Sequence, residues 1–233
     1  MDGVVLAVGS GTRLRPLTAD RPKGLVRVAG QPLLSHALDG ALSVGVDRLT
    51  VVVGYRGDDI VTHYGDDYRG VPVEYVRQAE QLGTGHALRQ AFPLDGTTVV
   101  VNGDNVCRAD LAAVVDRHRA TDAAATLLVE SVTREQARET GVVEADDGRV
   151  TGLVEKPDDP PSTLVVRGFQ VVEPTIEPAC RLLTPSDRGE YELPDAIDLL
   201  VRAGHRVETV ELDGWCHNVN DTADIERVEE RLG

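Results

Sequence analysis

The chain of 233 residues carries a net charge of −15, with 39 acidic residues against 24 Lys and Arg. A negative charge of this size repels the phosphates of nucleic acid, so we expect no nucleic-acid partner. No apolar run reaches 18 residues and the first residues lack the basic start of a signal peptide, so we expect no membrane partner and a cytoplasmic location.

Cysteines and lysines are few and widely spaced. Cys107, Cys180 and Cys216 fit neither a zinc site nor a disulfide framework, so we expect unpaired thiols in a reducing cytosol. Only Lys23 and Lys156 are lysines. The acidic, Arg-rich composition indicates a halophilic source, although a high-GC coding bias would have the same effect. Lysine is a compact point charge, which makes both lysines candidates for phosphate contacts.

Strands and helices alternate through the first half of the chain. A short apolar run at Val4–Val8, ending in glycines, predicts a buried parallel strand, and Pro32–Val44 has the apolar face of a helix. Further strands are predicted at Leu49–Val53, Val71–Val76, Thr98–Val101 and Ala124–Glu130, and further helices at Asp58–Tyr64, Thr84–Phe92 and Leu111–Arg119.

The second half is less regular. Gly141–Glu144 and Arg149–Glu155 predict a hairpin that turns at Asp146–Gly148. Further strands are predicted at Leu164–Val172 and Arg206–Leu212, and further helices at Thr175–Leu183, Leu193–Ala203 and Asp221–Leu232. We predict a single α/β domain over residues 1–233, a Rossmann-like and mostly parallel sheet flanked by helices on both faces. Ligands of such sheets bind at the carboxyl ends of the strands.

A glycine-rich loop, Gly9–Arg15, follows the first strand. It is not a dinucleotide fingerprint, because Leu14 stands at the third glycine position, and no Gly-Lys-Ser/Thr of a P-loop follows. Glycines let backbone N–H groups approach a polyphosphate, and Arg13 and Lys23 would add positive charge there. A structural turn without a ligand is the alternative.

Leu6–Thr18 together with Arg21–Lys23 resembles the signature of the sugar-1-phosphate nucleotidyltransferases, which include glucose-1-phosphate thymidylyltransferases and uridylyltransferases. The resemblance implies an enzyme that transfers a nucleotidyl group from a nucleoside triphosphate to a sugar 1-phosphate and releases pyrophosphate. It implies catalytic roles for Arg13 and Lys23. It also implies nucleotide contacts from Leu6, Ala7, Gly9, Gly11 and Thr12. Val8 departs from the family, which usually has Ala or Gly there.

A second segment, Gln78–Ala87, resembles the part of the family that reads the base. The resemblance implies nucleotide contacts from Gln78, Gly83 and Thr84. An amide pairs with the donor–acceptor edge of uracil or thymine, so UTP or dTTP is expected. An ordinary helix start capped by Thr84 is the alternative. We expect His86 to be a helix-surface or packing residue rather than a catalyst.

The hairpin and the following strand resemble the sugar-binding part of the family. The resemblance implies that Gly141, Glu155, Lys156 and Gly168 bind the sugar phosphate, with Lys156 on the phosphate and Glu155 on sugar hydroxyls. A surface ion pair between Glu155 and Lys156 would be the alternative and would contribute little.

Asp104 follows a predicted buried strand, where it could hold Mg²⁺ through one carboxylate. The family's matching aspartate does so, and a turn-forming aspartate is the alternative. The segment Trp215–Asp224 resembles the one that supplies a second metal ligand. Asn218 stands where aspartate is usual, and Asp221 is the alternative ligand.

The resemblance divides the chain into a nucleotide-binding half, about residues 1–122, and a sugar-phosphate-binding half, about residues 123–233. The expected partners are a nucleoside triphosphate and a sugar 1-phosphate, with glucose 1-phosphate favoured, and a homo-oligomer is left open. The chain resembles the short form of the family, without a C-terminal extension. Two alternatives are a glycosyltransferase that uses a nucleotide sugar, which would normally carry Asp-x-Asp at the metal, and a non-catalytic nucleotide-sugar-binding protein.

Overall fold

The computed structural model describes all residues, 1–233. Its strands are β1 Asp2–Ala7, β2 Arg27–Val28, β3 Gln31–Pro32, β4 Arg48–Val53, β5 Asp67–Tyr68, β6 Val71–Arg77, β7 Thr98–Asn102, β8 Asn105–Ala109, β9 Ala125–Ser131, β10 Gly141–Asp146, β11 Arg149–Glu155, β12 Leu164–Val172, β13 Val207–Glu211 and β14 Gly214–Asn218. Its helices are α1 Leu33–Ser43, α2 Gly57–Tyr64, α3 Thr84–Arg89, α4 Ala112–Ala120, α5 Arg134–Ala137, α6 Ile176–Leu182, α7 Leu193–Arg202 and α8 Thr222–Leu232. None of these helices combines the length and apolarity that crossing a bilayer requires.

A ten-stranded sheet forms the centre of the fold, in the order β10-β11-β13-β9-β12-β7-β1-β4-β6-β5. Strand β1 is parallel to β4 on one side and to β7 on the other, with Ala7 opposite Val53 and Leu6 opposite Asn102. The strand order therefore reverses at β1, and the carboxyl ends of three strands meet at one edge. Open α/β sheets bind their ligands at such a point.

The sheet continues from the first half of the chain into the second half, because β12 pairs with both β7 and β9. Both pairings are antiparallel, as is the predicted hairpin of β10 and β11. The strands around β1 are parallel, and most of the pairings in the second half are antiparallel, so the sheet as a whole is mixed.

Helices cover both faces of the sheet, as predicted. Successive side chains of a strand point to opposite faces. In β1, Val4 and Leu6 belong to one apolar cluster, with residues of α3, α6 and α7, and Val5 belongs to another, with residues of α1 and α4. Residues buried on both faces account for the continuously apolar β1.

A separate antiparallel ribbon, formed by β8 and β14, was not predicted. It pairs segments more than 100 residues apart, which a local sequence pattern does not reveal. Cys107 lies opposite Cys216 in the ribbon, with their Cα atoms 4.1 Å apart, and the two form a disulfide. The prediction of unpaired thiols was therefore wrong for these two cysteines. It was right for Cys180, which is buried and free.

We predict that breaking the disulfide destabilises the fold, because the bond closes a loop across a sequence separation of 109 residues. Reduction, or the double substitution Cys107→Ser and Cys216→Ser, should lower the free energy of unfolding by about 2–4 kcal/mol in urea titrations. The double variant is the control, because reductant should leave its unfolding curve unchanged. A wild-type midpoint that is insensitive to reductant would contradict the prediction.

Candidate active site

The glycine-rich loop after β1 packs around the side chain of Lys23. Gly11 has a φ of 63° and precedes a turn of 3₁₀ helix at Thr12–Leu14. A Cβ at Gly11 would lie 2.8 Å from Thr18 Cγ2 and 3.0 Å from Lys23 Cβ, and one at Gly9 would lie 3.3 Å from Lys23 Cδ. Gly11 is therefore needed at this position, and Gly9 gives the lysine stem beneath the loop more room than a larger residue would.

The ammonium of Lys23 is buried and lies between two oxygens. It donates to Asp104 Oδ2 at 2.7 Å and to Asn220 Oδ1 at 3.1 Å. Only 7% of Lys23 is exposed, so this charge depends on its partners rather than on water. The arrangement brings together residues from the loop after β1, the end of β7 and the segment after β14.

Asn220 was not among the predicted residues, but its Oδ1 faces the Lys23 ammonium beside Asp104, whereas neither Asn218 nor Asp221 forms a hydrogen bond with Lys23. Asn218 is exposed and lies opposite Asn105 in the ribbon. Asp221 is the N-cap of α8, and its carboxylate accepts from Asp224 N–H at 3.0 Å. The ribbon positions Asn220, whose Oδ1 is the second oxygen that contacts Lys23. Asp104 C=O accepts from Val219 N–H at 3.0 Å, and Asn220 is the next residue.

Asp224 holds the backbone on which Asn220 stands. Its carboxylate accepts from Asn220 N–H at 2.8 Å, from His217 Nε2 at 2.9 Å and from Arg227 Nη1 at 2.6 Å. Burial alone would raise the pKa of Asp224, but the hydrogen bonds from Asn220 N–H and His217 hold it below the usual value. An ionised Asp224 therefore orients the segment that carries Asn220.

The other residues predicted for the nucleotide lie along the same edge. Leu6 and Ala7 end β1, and Leu6 C=O accepts from Gly103 N–H at 3.0 Å, which joins the ends of β1 and β7. Thr12 and Arg13 are exposed on the loop. The guanidinium of Arg13 has no hydrogen-bond or ion-pair partner in the protein.

Gln78 is buried, at 2% exposure, immediately after β6. Its Nε2 donates to Gly83 C=O at 3.0 Å and lies 2.9 Å from His86 Nδ1, while its Oε1 is buried without a partner. Thr84 begins α3, and its hydroxyl accepts from Leu193 N–H at 3.1 Å. Thr84 therefore caps the start of α7 rather than its own helix.

The residues predicted for the sugar phosphate form a second group. A Cβ at Gly141 would lie 3.0 Å from Glu155 Oε2, so this glycine makes room for the carboxylate. Lys156 Nζ lies 3.7 Å from Glu155 Oε1 and the lysine side chain is 39% exposed. Gly168 is adjacent to the side chains of Asn102 and Asn105, near the end of β7.

Several carboxyls in and beside this second group have raised pKa values. Burial first, and the Glu192 carboxylate second, raise the pKa of Glu155 to about 7, against the opposing effects of Lys156 and Arg188. The pKa values of Glu190 and Asp195 are raised by the same two causes. Arg188, which we did not predict, donates to Glu192 at 2.8 Å.

The profile of the family described as Nucleotidyl transferase matches residues 2–224. The chain belongs to this family. The transferase is 46% identical to UTP–glucose-1-phosphate uridylyltransferase AglF of Haloferax volcanii, over 100% of this chain and 96% of that protein. It is 36% identical to a glucose-1-phosphate thymidylyltransferase of Streptomyces griseus, over 98% of this chain and 66% of that one.

A solved structure has the same fold. UDP-glucose pyrophosphorylase complexed with UDP-glucose superposes on the transferase with a TM-score of 0.90 at 21% identity, over 99% of this chain and 97% of that one. The predicted family resemblance and fold class are thus confirmed. The transferase spans about two thirds of the Streptomyces relative and nearly all of AglF.

We predict that Glu155 makes the stability of the transferase depend on pH. A carboxyl whose pKa is raised from 4.5 to about 7 opposes folding as it ionises, so wild type should lose stability as pH rises through this window. Glu155→Gln cannot ionise. Near pH 5 the two proteins should unfold alike, and near pH 8 the variant should be more stable by up to about 3 kcal/mol.

Denaturant titrations at both pH values provide the measurement. Glu139→Gln is the matched control, because Glu139 is exposed and forms no ion pair. A stability difference between wild type and Glu155→Gln that is the same at both pH values would refute the prediction.

Proposed function

We propose that the protein transfers a uridylyl or thymidylyl group from UTP or dTTP to a sugar 1-phosphate, with glucose 1-phosphate favoured, and releases pyrophosphate. The observation that carries the proposal is the buried Lys23 ammonium, paired with Asp104 beneath a glycine-rich loop at the point where the strand order reverses. The Haloferax relative is named as a UTP–glucose-1-phosphate uridylyltransferase, which supports UTP and glucose 1-phosphate as the pair to test first.

The donor set around Lys23 suits a divalent metal. A carboxylate oxygen of Asp104 and an amide oxygen of Asn220 already face one cation, the Lys23 ammonium. Mg²⁺ takes few protein oxygens and fills its shell with phosphate oxygens and water. We propose that Asp104 and Asn220 hold Mg²⁺, which when bound would neutralise charge on the phosphate oxygens.

The base site favours a ligand with an N–H donor. Both protons of the Gln78 amide nitrogen are directed at protein atoms, and the buried Oε1 is left without a donor. A buried acceptor without a partner is costly, and a ligand N–H would satisfy it. Uracil and thymine present such a group at N3, whereas cytosine N3 is an acceptor.

The chemistry needs no general base, because the sugar phosphate is already an anion. Its oxygen would attack the α-phosphorus in line, and pyrophosphate would leave on the opposite side. Arg13 would neutralise charge on the α-phosphate, with Lys23 beside it. Lys156 would hold the attacking phosphate, and Glu155 would bind sugar hydroxyls.

Pyrophosphate release tests the proposal directly. The purified protein is incubated with Mg²⁺, each of five nucleoside triphosphates and glucose 1-phosphate, and the products are identified by mass spectrometry. We expect pyrophosphate and the matching nucleotide sugar with UTP or dTTP. Sugar transfer from UDP-glucose would support the glycosyltransferase instead, and binding without turnover would support the non-catalytic alternative.

We predict that Arg13→Ala lowers kcat about 10²–10⁴-fold in this assay, because a preorganised charge is lost where negative charge develops. Arg119→Ala is the control, since Arg119 is exposed on α4 and forms no ion pair. An Arg13→Ala enzyme with kcat within fivefold of wild type would refute this role.

We predict that Asn220→Ala raises the Mg²⁺ concentration for half-maximal activity about tenfold or more, because one of two protein oxygens is lost. Asn218→Ala is a matched control, an exposed residue of the same type two positions away. A Mg²⁺ titration shifted by Asn218→Ala and unchanged by Asn220→Ala would overturn the assignment.

A further inference from the structure

His86 contacts the one buried side chain that we assign to the base. Its Nδ1 lies 2.9 Å from Gln78 Nε2, and Gln78 Nε2 also donates to Gly83 C=O at 3.0 Å. The Gln78 side chain is buried and its Oε1 has no partner. The orientation of this amide determines whether it offers the ligand an acceptor or a donor.

Hydrogen-bond roles settle the orientation. A backbone carbonyl only accepts, so the nitrogen end of the Gln78 amide must face Gly83 C=O. The second proton of that nitrogen then points to His86 Nδ1, which can accept it only when it carries no proton. The neutral ring keeps its proton on Nε2, and Oε1 is the polar atom of Gln78 that remains for a ligand.

We infer that His86 is a positioning residue for nucleobase choice, an inference that rests on the proposed function. Its unprotonated Nδ1 holds the Gln78 amide with Oε1 left to accept the N3–H of uracil or thymine. Cytosine would place an acceptor against that acceptor. His86 therefore favours UTP over CTP without touching either.

Protonation of His86 creates a conflict that no amide rotation removes. With a proton on Nδ1, the ring and the Gln78 nitrogen are two donors facing each other. Rotation of the amide would relieve this contact, but it would bring Oε1 against Gly83 C=O, another acceptor. The discrimination between UTP and CTP should therefore weaken as His86 becomes charged.

The surroundings of His86 favour the neutral ring. Burial first, and the guanidinium of Arg89 on the same helix second, lower its pKa, while Glu80 in the preceding loop opposes them. The ring of Tyr191, which belongs to the second half of the chain, packs beside the His86 ring with 6.2 Å between the ring centroids. Gln90 Nε2 donates to His86 C=O at 3.0 Å and lies 3.4 Å from His86 Nε2. These two nitrogens are both donors when Nε2 carries the ring proton, so the shorter contact of 2.9 Å between Nδ1 and Gln78 decides the tautomer.

The experiment measures the ratio of CTP to UTP dissociation constants by calorimetry. Both ligands carry the same triphosphate, so the ratio cancels the ionisation of phosphate. We expect His86→Leu to reduce the ratio about tenfold, the scale of an unpaired buried polar group. His86→Asn keeps an acceptor at the δ position and should remain within about threefold of wild type.

A pH series distinguishes an effect of His86 on the orientation of the Gln78 amide from an effect of its packing alone. Because burial and Arg89 lower the pKa of His86, the wild-type ratio should stay level from about pH 8 to about pH 6.5 and fall only below that, whereas in His86→Asn, which does not titrate, it should stay level throughout. Circular dichroism checks that each variant is folded, and His86→Asn tests the inference even if His86→Leu does not fold.

Two results would overturn the inference. One is a folded His86→Leu that discriminates like wild type, and the other is a folded His86→Asn that loses the discrimination although it keeps an acceptor at the δ position. Because binding is measured without turnover, an enzyme that prefers UTP as described but releases no pyrophosphate contradicts the proposed function alone.

Discussion

The active-site end of the sheet depends on the buried ammonium of Lys23 and its two oxygens. The interaction joins residues separated by 81 and 197 positions in the chain. Lys23 and Asp104 form the ion pair of this group. Removing either partner of a buried ion pair leaves a charge without compensation and lowers the free energy of unfolding by about 3–5 kcal/mol. The glycines at positions 9 and 11 follow from the same requirement, because side chains there would occupy the space of the lysine stem.

The ribbon of β8 and β14 makes this interaction geometrically possible. It begins one residue after Asp104 and ends two residues before Asn220, so its pairing decides how far apart the two oxygens lie. The disulfide between Cys107 and Cys216 and the hydrogen bonds to Asp224 hold the two sides of the ribbon in place. Rigid support of this kind reduces the reorganisation needed when phosphates bind.

The two halves of the chain meet through the segment assigned to the base. Gly85 N–H donates to Tyr191 C=O at 2.8 Å, Tyr191 N–H donates to Leu82 C=O at 2.7 Å, and Thr84 caps α7. The base segment therefore packs directly on the loop that supplies Glu190 and Glu192. Near this loop the pKa values of Glu155, Glu190 and Asp195 are raised, so these carboxyls lower stability as they ionise. A cationic or hydroxyl-rich ligand in the lobe assigned to the sugar phosphate would relieve them.

The sequence by itself determined the order of the main strands and helices, because apolar periodicity is local, and it located the loop, Gln78, Asp104, Glu155 and Lys156, because these lie in compact motifs. It also indicated the family. Only the tertiary structure decided that Asn220 shares the Lys23 ammonium with Asp104, that Cys107 meets Cys216, and that His86 contacts Gln78. Each of these depends on register or on contacts between side chains, where a shift of one residue moves a side chain to the opposite face of a strand.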